Sequence, residues 1–121
     1  MNLLRRTREI DFREPRLLDS RTPGVPFQMT GSVWWKPRRA RHPDIEAAVR
    51  RAVTQQAQAI VLTRDADDIC GAQDAINADL GSDRLERSPC YSRLIPKVTL
   101  RLSKQAMVDA LEYNRRSRGQ L

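Results

Sequence analysis

The sequence predicts an α+β fold in which a small sheet is packed by a pair of helices and followed by a C-terminal helix. Two stretches, residues 27–36 and 94–102, show the alternation of apolar and polar residues that is typical of strands. Between them, apolar residues recur at helical spacing in two successive segments. A strand, two helices, a second strand and a last helix are therefore expected between Phe27 and Arg118.

The first predicted strand alternates so regularly that one set of its side chains is expected in a core. Trp34 interrupts the polar set, so the second face of the strand is expected to be partly covered or adhesive. Pro37 ends the strand, because proline cannot donate a hydrogen bond to the ladder. The predicted core positions are Phe27, Met29, Val33 and Trp35.

Helix start signals follow this strand. Pro43 suits the first turn of a helix, and Asp44 and Glu46 complement its positive end, so a helix is expected to about Leu62. An aspartate cluster at residues 65–68 has part of the ligand pattern of a calcium loop, but capping of the next helix explains it better. The apolar positions of this second helix are Ile69, Ala72, Ile76 and Leu80.

The second strand carries Pro96 on its apolar face, which predicts an edge strand or a bulge because proline lacks the N–H donor. Its other face holds Ile95, Lys97, Thr99 and Arg101. Ser103 then suits the N-cap of the last helix.

Residues 1–26 are interpreted as a basic, partly ordered N-terminal arm, because six arginines alternate with four acids and three prolines interrupt any long element. Ile10 and Phe12 would suit a short edge strand within it. At 121 residues the chain can bury a single core. We expect an α+β domain over residues 27–103 and a C-terminal helix over residues 104–121.

The net charge of +7 is unevenly distributed. Residues 64–87 carry seven acids and three bases, whereas residues 36–51 and 88–121 are basic. A chain with this polarity can pair with copies of itself or rest on an anionic surface. Cys70 and Cys90 are expected to be free thiols, with one disulfide as the alternative. No apolar run or secretory signal is evident, so the expected location is cytoplasmic, or peripheral to the inner face of the membrane.

The inventory of reactive residues argues against an enzyme. His42 is the single histidine, and with two cysteines it cannot build a convincing zinc site. A nucleophilic pair of His42 with Cys70 or Cys90 is conceivable, but an exposed role at a helix start explains His42 better. No phosphate-binding glycine loop or nucleophile elbow is present. We therefore expect no catalytic residues, no cofactor, no metal and no small-molecule substrate.

Two basic segments are candidate binding sites. Aromatic and cationic side chains adjoin in the first, where they could stack bases or lie at a lipid interface. The favoured interpretation is nevertheless that Trp35 lies in the core and Trp34 packs under the arm or the last helix, because alternating strand positions normally bury one of such a pair. The second segment is interpreted as a solvated helix end. The alternatives are a contact for anionic lipid and a docking site for an acidic partner. The candidates are Trp34, Trp35, Lys36, Arg38, Arg39 and Arg41 in the first segment and Arg115, Arg116 and Arg118 in the second.

Five stretches carry a resemblance to a known family. The Ser-Val-Trp-Trp-Lys-Pro run at residues 32–37 resembles the strand that ends in a paired aromatic and basic segment in the SPFH, or band 7, domains of stomatins, prohibitins and flotillins. Residues 62–69 and 73–80 resemble the turn into the family's second helix and that helix itself, and residues 95–102 and 103–118 its closing strand and long helix. The resemblance is to a truncated form of the domain that lacks a membrane anchor, and it implies an SPFH-like fold. The family as a whole also implies ring-like assembly and membrane attachment.

These observations predict a non-catalytic interaction or scaffold domain. Its expected partners are copies of itself or a larger protein complex, with an anionic membrane surface as a further contact. The acidic second helix and the basic flanks would supply complementary surfaces. The alternative is a nucleic-acid-binding module that uses the Trp-Lys-Pro-Arg-Arg segment and the arginine-rich ends.

Overall fold

A computed structural model describes residues 8–36, 44–82 and 94–119, with side chains described as far as Ser117. The described strands form one three-stranded antiparallel sheet in the order β1-β2-β3. The predicted α+β class is confirmed, as is the predicted order of strand, two helices, strand and helix. The elements are β1 (Arg8–Asp19), β2 (Pro26–Trp35), α1 (Ile45–Val61), α2 (Ile69–Leu80), β3 (Ile95–Arg101) and α3 (Lys104–Gly119).

β1 differs from the sequence-based expectation of an N-terminal arm over residues 1–26. Residues 8–19 form a 12-residue strand of the sheet, and Ile10, Phe12 and Leu18 are buried in the core. The register of β1 against β2 shifts between Phe12 and Arg16, which marks a β-bulge. The short edge strand suggested for Ile10 and Phe12 is therefore confirmed, but it continues to Asp19. The bulge breaks the alternation of apolar and polar residues, and this is why the part of the strand beyond Phe12 was not recognised from its pattern.

The core lies between one face of the sheet and the helix pair. Alternate residues of β2, the central strand, are essentially inaccessible to solvent, as predicted from their spacing. Burial of these apolar side chains is the main force that holds the helices on the sheet. The buried residues are Phe27, Met29, Val33 and Trp35 of β2, Val49, Val53, Ala57 and Val61 of α1, Ala72, Ile76 and Leu80 of α2, and Val98 and Leu100 of β3.

Aspartate side chains cap both helices of the pair. The Asp44 carboxylate accepts a hydrogen bond from the Ala47 N–H at 3.0 Å, and the Asp68 carboxylate accepts one from the Gly71 N–H at 3.2 Å. Each bond satisfies an N–H group that has no partner within its own helix. The interpretation of the aspartate cluster as a helix cap is therefore confirmed for Asp68.

α3 attaches to the end of the sheet that carries the β1–β2 turn. The Ser103 hydroxyl caps it by accepting a hydrogen bond from the Ala106 N–H at 3.0 Å, as predicted. Ala106 and Ala110 pack with Val25 and Ala66 in a small cluster separate from the main core. α3 therefore has one narrow face against the rest of the fold.

Candidate interaction surface

One face of the sheet has no helix of the described chain against it, and we call it the open face. Successive side chains of a strand point to opposite faces, so the neighbours of the core residues point away from α1 and α2. These side chains are half-buried or exposed. The open face consists of Glu9, Asp11 and Leu17 from β1, Gln28, Thr30, Ser32 and Trp34 from β2, and Ile95, Lys97, Thr99 and Arg101 from β3.

The strand register arranges the open face in rows that run across the sheet. The Ser32 hydroxyl donates a hydrogen bond to the Glu9 carboxylate at 3.0 Å, which shows that side chains of adjacent rows contact each other. Directly opposed residues in such rows are the units of contact on a sheet surface. The rows are Glu9–Trp34–Ile95, Asp11–Ser32–Lys97 and Leu17–Gln28–Arg101.

Charge is divided between the two edges of the open face. Glu9 and Asp11 lie on β1, where Arg13 pairs with Asp11 at 3.1 Å, Lys97 and Arg101 lie on β3, and the β2 side chains between them are uncharged. Neighbouring strands are about 4.8 Å apart, so the acids of β1 and the bases of β3 are separated by about 10 Å across the sheet. The open face therefore has two acids along β1, one of them paired with Arg13, and two bases along β3.

Apolar side chains lie at both ends of the open face. Trp34 is half-buried and lies beside Ile95, which is 58% exposed. Leu17, at the other end, is 61% exposed. The open face thus has apolar contacts available at its ends and hydroxyl and amide groups in its centre.

The two adjacent tryptophans point to opposite faces of the sheet. Trp35 is 1% exposed and lies in the core, with the Arg8 guanidinium 5.6 Å from its ring centroid. Its indole N–H has no hydrogen-bond partner among the described residues. Since Trp35 is inaccessible, Trp34 alone of this pair can contact a partner.

The other predicted site residues are not brought together. Lys36 is exposed at the end of β2 next to Trp34. Arg115 and Arg116 are exposed on α3, which attaches at the opposite end of the sheet. Arg116 pairs with Glu112 at 3.4 Å on the same helix. Arg38, Arg39 and Arg41 lie outside the described residues, as does the side chain of Arg118.

The free edge of β3 is closed by side chains of α2. The Asn77 amide donates to the Val98 carbonyl and accepts from the Val98 N–H, both at 3.1 Å. The Gln73 side chain accepts from the Leu100 N–H at 3.0 Å. Pro96 lies two residues before Val98, so its missing N–H would also have pointed to this edge. The prediction of an edge strand at Pro96 is confirmed.

The free edge of β1 is obstructed by Gln58 of α1 at one end and by the bulge with Pro15 in its middle. Gln58 of α1 makes two hydrogen bonds of 2.9 Å with the backbone of Asp19. The bulge follows Phe12, and Pro15 within it has no N–H to offer. Gly31 of β2 faces the start of the bulge with φ +115°, a conformation that favours glycine. Bulges and prolines on edge strands disfavour pairing with another strand.

A surface concavity of about 790 Å³ lies between the β1 bulge and the start of α1. Four of its charged groups are paired with each other. Asp11 pairs with Arg13 at 3.1 Å, and Glu46 pairs with Arg50 at 3.7 Å. The Arg50 guanidinium also lies 5.2 Å from the ring centroid of Phe12. We therefore do not assign a ligand to this concavity.

α3 carries a second exposed apolar group on the side away from Ala106 and Ala110. Leu111 is 71% exposed, with Met107 and Val108 beside it. The group is short and has basic Lys104 and Arg115 near its ends. Acidic Glu112 lines the same surface beside Val108, Leu111 and Arg115, so this group also carries both signs of charge. It is the competing surface for self-association.

Most residues of the open face were absent from the predicted site. The alternation of β3 had placed Ile95, Lys97, Thr99 and Arg101 on one strand face, but it could not indicate that no described helix packs on this face. Asp11 lies between Ile10 and Phe12, for which a short edge strand was expected, but the sequence did not indicate which strand this one would pair with. The register, which sets Asp11 and Lys97 in one row, has no local signal in the sequence.

Neither a metal-binding cluster nor a membrane-spanning helix is found among the described residues. Across residues 8–36, 44–82 and 94–119, no group of three or more His, Cys, Asp or Glu side chains could hold a metal ion. Cys70 is exposed. Among the helices described, none is long and apolar enough to cross a bilayer.

Comparison with known proteins gives no relative. No protein-family model, curated protein or solved structure matches this chain. The resemblance to SPFH domains therefore stays a prediction, and the function has to be argued from the surface of the fold.

Proposed function

We propose that this chain is a non-catalytic interaction domain that associates with a second copy of itself through the open face. The observation that carries the proposal is the division of charge on this face. Acids on β1 and bases on β3 make it attractive to an identical face, whereas a face of one sign would repel its copy.

The edges of the sheet support this choice of surface. A second chain that paired with β3 would have to displace Asn77 and Gln73 from the β3 backbone. One that paired with β1 would meet the bulge and Pro15. Contact through side chains of the open face requires no such rearrangement.

The size of the open face predicts a weak complex. Three strands of about seven residues cover roughly 14 by 23 Å. This is smaller than the roughly 800 Å² per partner of a standard protein interface, and much of it is polar. We expect a dissociation constant in the micromolar range, in which the aromatic ring of Trp34 contributes more than the hydroxyl groups around it.

The test is sedimentation equilibrium over a range of micromolar concentrations with the chain and two variants. The wild type should dimerise, and Trp34→Glu should weaken the dimer about tenfold or more, because two carboxylates would enter the contact. Leu111→Glu is the matched control, since it makes the same change at an exposed apolar residue of α3. It should leave the dimer unchanged.

Two results would contradict the proposal. A wild-type chain that stays monomeric at all concentrations does not self-associate. A dimer that is weakened by Leu111→Glu and unaffected by Trp34→Glu forms through α3 instead. Thermal unfolding of both variants, followed by circular dichroism, checks that neither substitution has disrupted the fold.

Binding of single-stranded nucleic acid is a second candidate for the same face. Trp34, Lys97 and Arg101 lie on one surface, and the strand that carries Trp34 leads into basic residues 36–41. Aromatic rings on an open sheet can stack bases while nearby cations contact phosphates. This candidate predicts binding to an oligothymidine that weakens steeply as salt rises.

Asp11→Lys separates the two candidates by the direction of its effect. It removes an acid from the open face, so it should strengthen binding to oligothymidine, as measured by fluorescence anisotropy at low salt. In a self-associating domain it should weaken the dimer instead. If the wild type shows no oligothymidine binding at low salt, the second candidate is excluded.

A further inference from the structure

We infer that two copies stack open face against open face about a two-fold axis parallel to β2, so that Asp11 of each copy meets Lys97 of the other. The inference rests on the proposed self-association and specifies its geometry. It follows from the rows of the open face and from the symmetry that a pair of identical surfaces must obey.

Symmetry leaves two simple arrangements for a pair of facing sheets. The two-fold axis of an isologous pair must lie between the sheets and parallel to them. It can run along the central strand, which places β1 of one copy over β3 of the other. It can also run across the strands, which places β1 over β1 and β3 over β3.

The axis across the strands is disfavoured by charge. It would bring Glu9 and Asp11 of β1 near the same acids of the second copy. Lys97 and Arg101 of β3 would likewise face their own copies. Like charges at a contact that excludes water are destabilising. Arg13 offsets part of this repulsion at Asp11, with which it pairs at 3.1 Å, but the open-face residues of β3 include no acid that would separate the two copies of Lys97 and Arg101.

The axis along β2 removes these conflicts. Asp11, Ser32 and Lys97 form one row, so rotation about β2 exchanges the two ends of that row and keeps its position along the strand. Each Asp11 then faces a Lys97, and this happens twice in the dimer. Trp34, which lies on β2 near the axis, faces Trp34 of the other copy, where two aromatic rings can pack in an offset stack.

The normal twist of sheets does not disturb this pairing. Packed sheets cross at about 30°, and the outer strands lie about 4.8 Å to either side of β2. The crossing therefore moves an outer strand by roughly 3 Å along its partner, which is less than the rise of one residue. The long side chain of Lys97 can span such an offset to reach the Asp11 carboxylate.

Charge exchange tests the geometry. Asp11→Lys and Lys97→Asp would each place two like-charged pairs in the homodimer, and each should raise the dissociation constant roughly tenfold. The double variant, Asp11→Lys with Lys97→Asp, restores two opposite pairs across the contact and should recover most of the lost affinity, although the change at Asp11 also removes its ion pair with Arg13. A mixture of the two single variants should likewise form a heterodimer about as tight as the wild-type dimer. Sedimentation equilibrium of each protein and of the mixture gives these values.

The outcomes distinguish the geometry from the proposed function. If Trp34→Glu weakens the dimer but the two charge variants do not, the open face is the interface and the axis inferred here is wrong. If both charge variants weaken the dimer and the double variant stays as weak, Asp11 and Lys97 do not face each other. If the wild type itself is monomeric, the proposed self-association is wrong, and the inferred geometry is wrong with it. Thr99→Asp, on the same strand as Lys97 but outside its row, controls for a general effect of charge and should weaken the dimer less than Lys97→Asp.

Discussion

The two faces of the sheet are built from the same strands but differ in burial: one packs against the helix pair and the other has no described helix against it. On β2, Phe27, Met29, Val33 and Trp35 are essentially inaccessible, and the residues between them are half-buried with no helix of the described chain above them. A shift of one residue along the strand therefore separates a position that holds the fold together from one available for recognition. Substitutions on β2 can thus test stability and association independently.

The largest expected difference between the faces is in stability. Phe27→Ala removes a fully buried ring from the core and should lower the free energy of unfolding by about 3 to 5 kcal/mol. Gln28→Ala, one residue later on the open face, should change it by less than about 0.5 kcal/mol. Urea unfolding followed by circular dichroism measures both. Comparable losses at the two positions would mean that the open face is also packed.

The covered face was largely predictable from the sequence, and the open face was not. Burial leaves a periodic signal, so β2, α2 and the α3 cap at Ser103 could be assigned before the structure was known. The bulge in β1 broke that signal, so the sequence suggested a short edge strand only at Ile10 and Phe12 and not its continuation to Asp19. The pairing of Asp11 with Lys97 in one row depends on register between residues far apart in sequence, which local patterns do not encode.

A smaller effect is expected at the β3 edge, where α2 protects backbone groups from solvent and from other chains. Asn77→Ala removes both hydrogen bonds to Val98 and leaves two polar groups unpaired, which should cost about 1 to 3 kcal/mol in unfolding free energy. Asn114→Ala is the control, since it removes one surface hydrogen bond to Asp67. It should cost less than about 0.5 kcal/mol.

The Asn77 variant also tests why association is assigned to the open face. An uncovered β3 edge can pair with another chain, so Asn77→Ala should show association that Trp34→Glu does not suppress. Light scattering of the single and double variants measures this. If Asn77→Ala loses stability but gains no such association, the β3 edge is protected by more than Asn77 and Gln73.

The smallest expected effect is that of salt on stability, and it should differ from the effect of salt on association. The ion pairs of the described chain, such as Arg13–Asp11 and Arg64–Asp68, lie at the surface with side chains between 41 and 89% exposed. Such pairs contribute little, so raising sodium chloride from about 50 mM to about 500 mM should change the unfolding free energy by less than about 1 kcal/mol. The same change should weaken the dimer, because facing Asp11 and Lys97 side chains would be screened. Urea unfolding at protein concentrations below the dimer dissociation constant tests the first statement. Sedimentation equilibrium at both salt concentrations tests the second. A dimer that strengthens with salt would indicate that Trp34, Ile95 and Leu17 dominate the contact and that charge sets only its orientation.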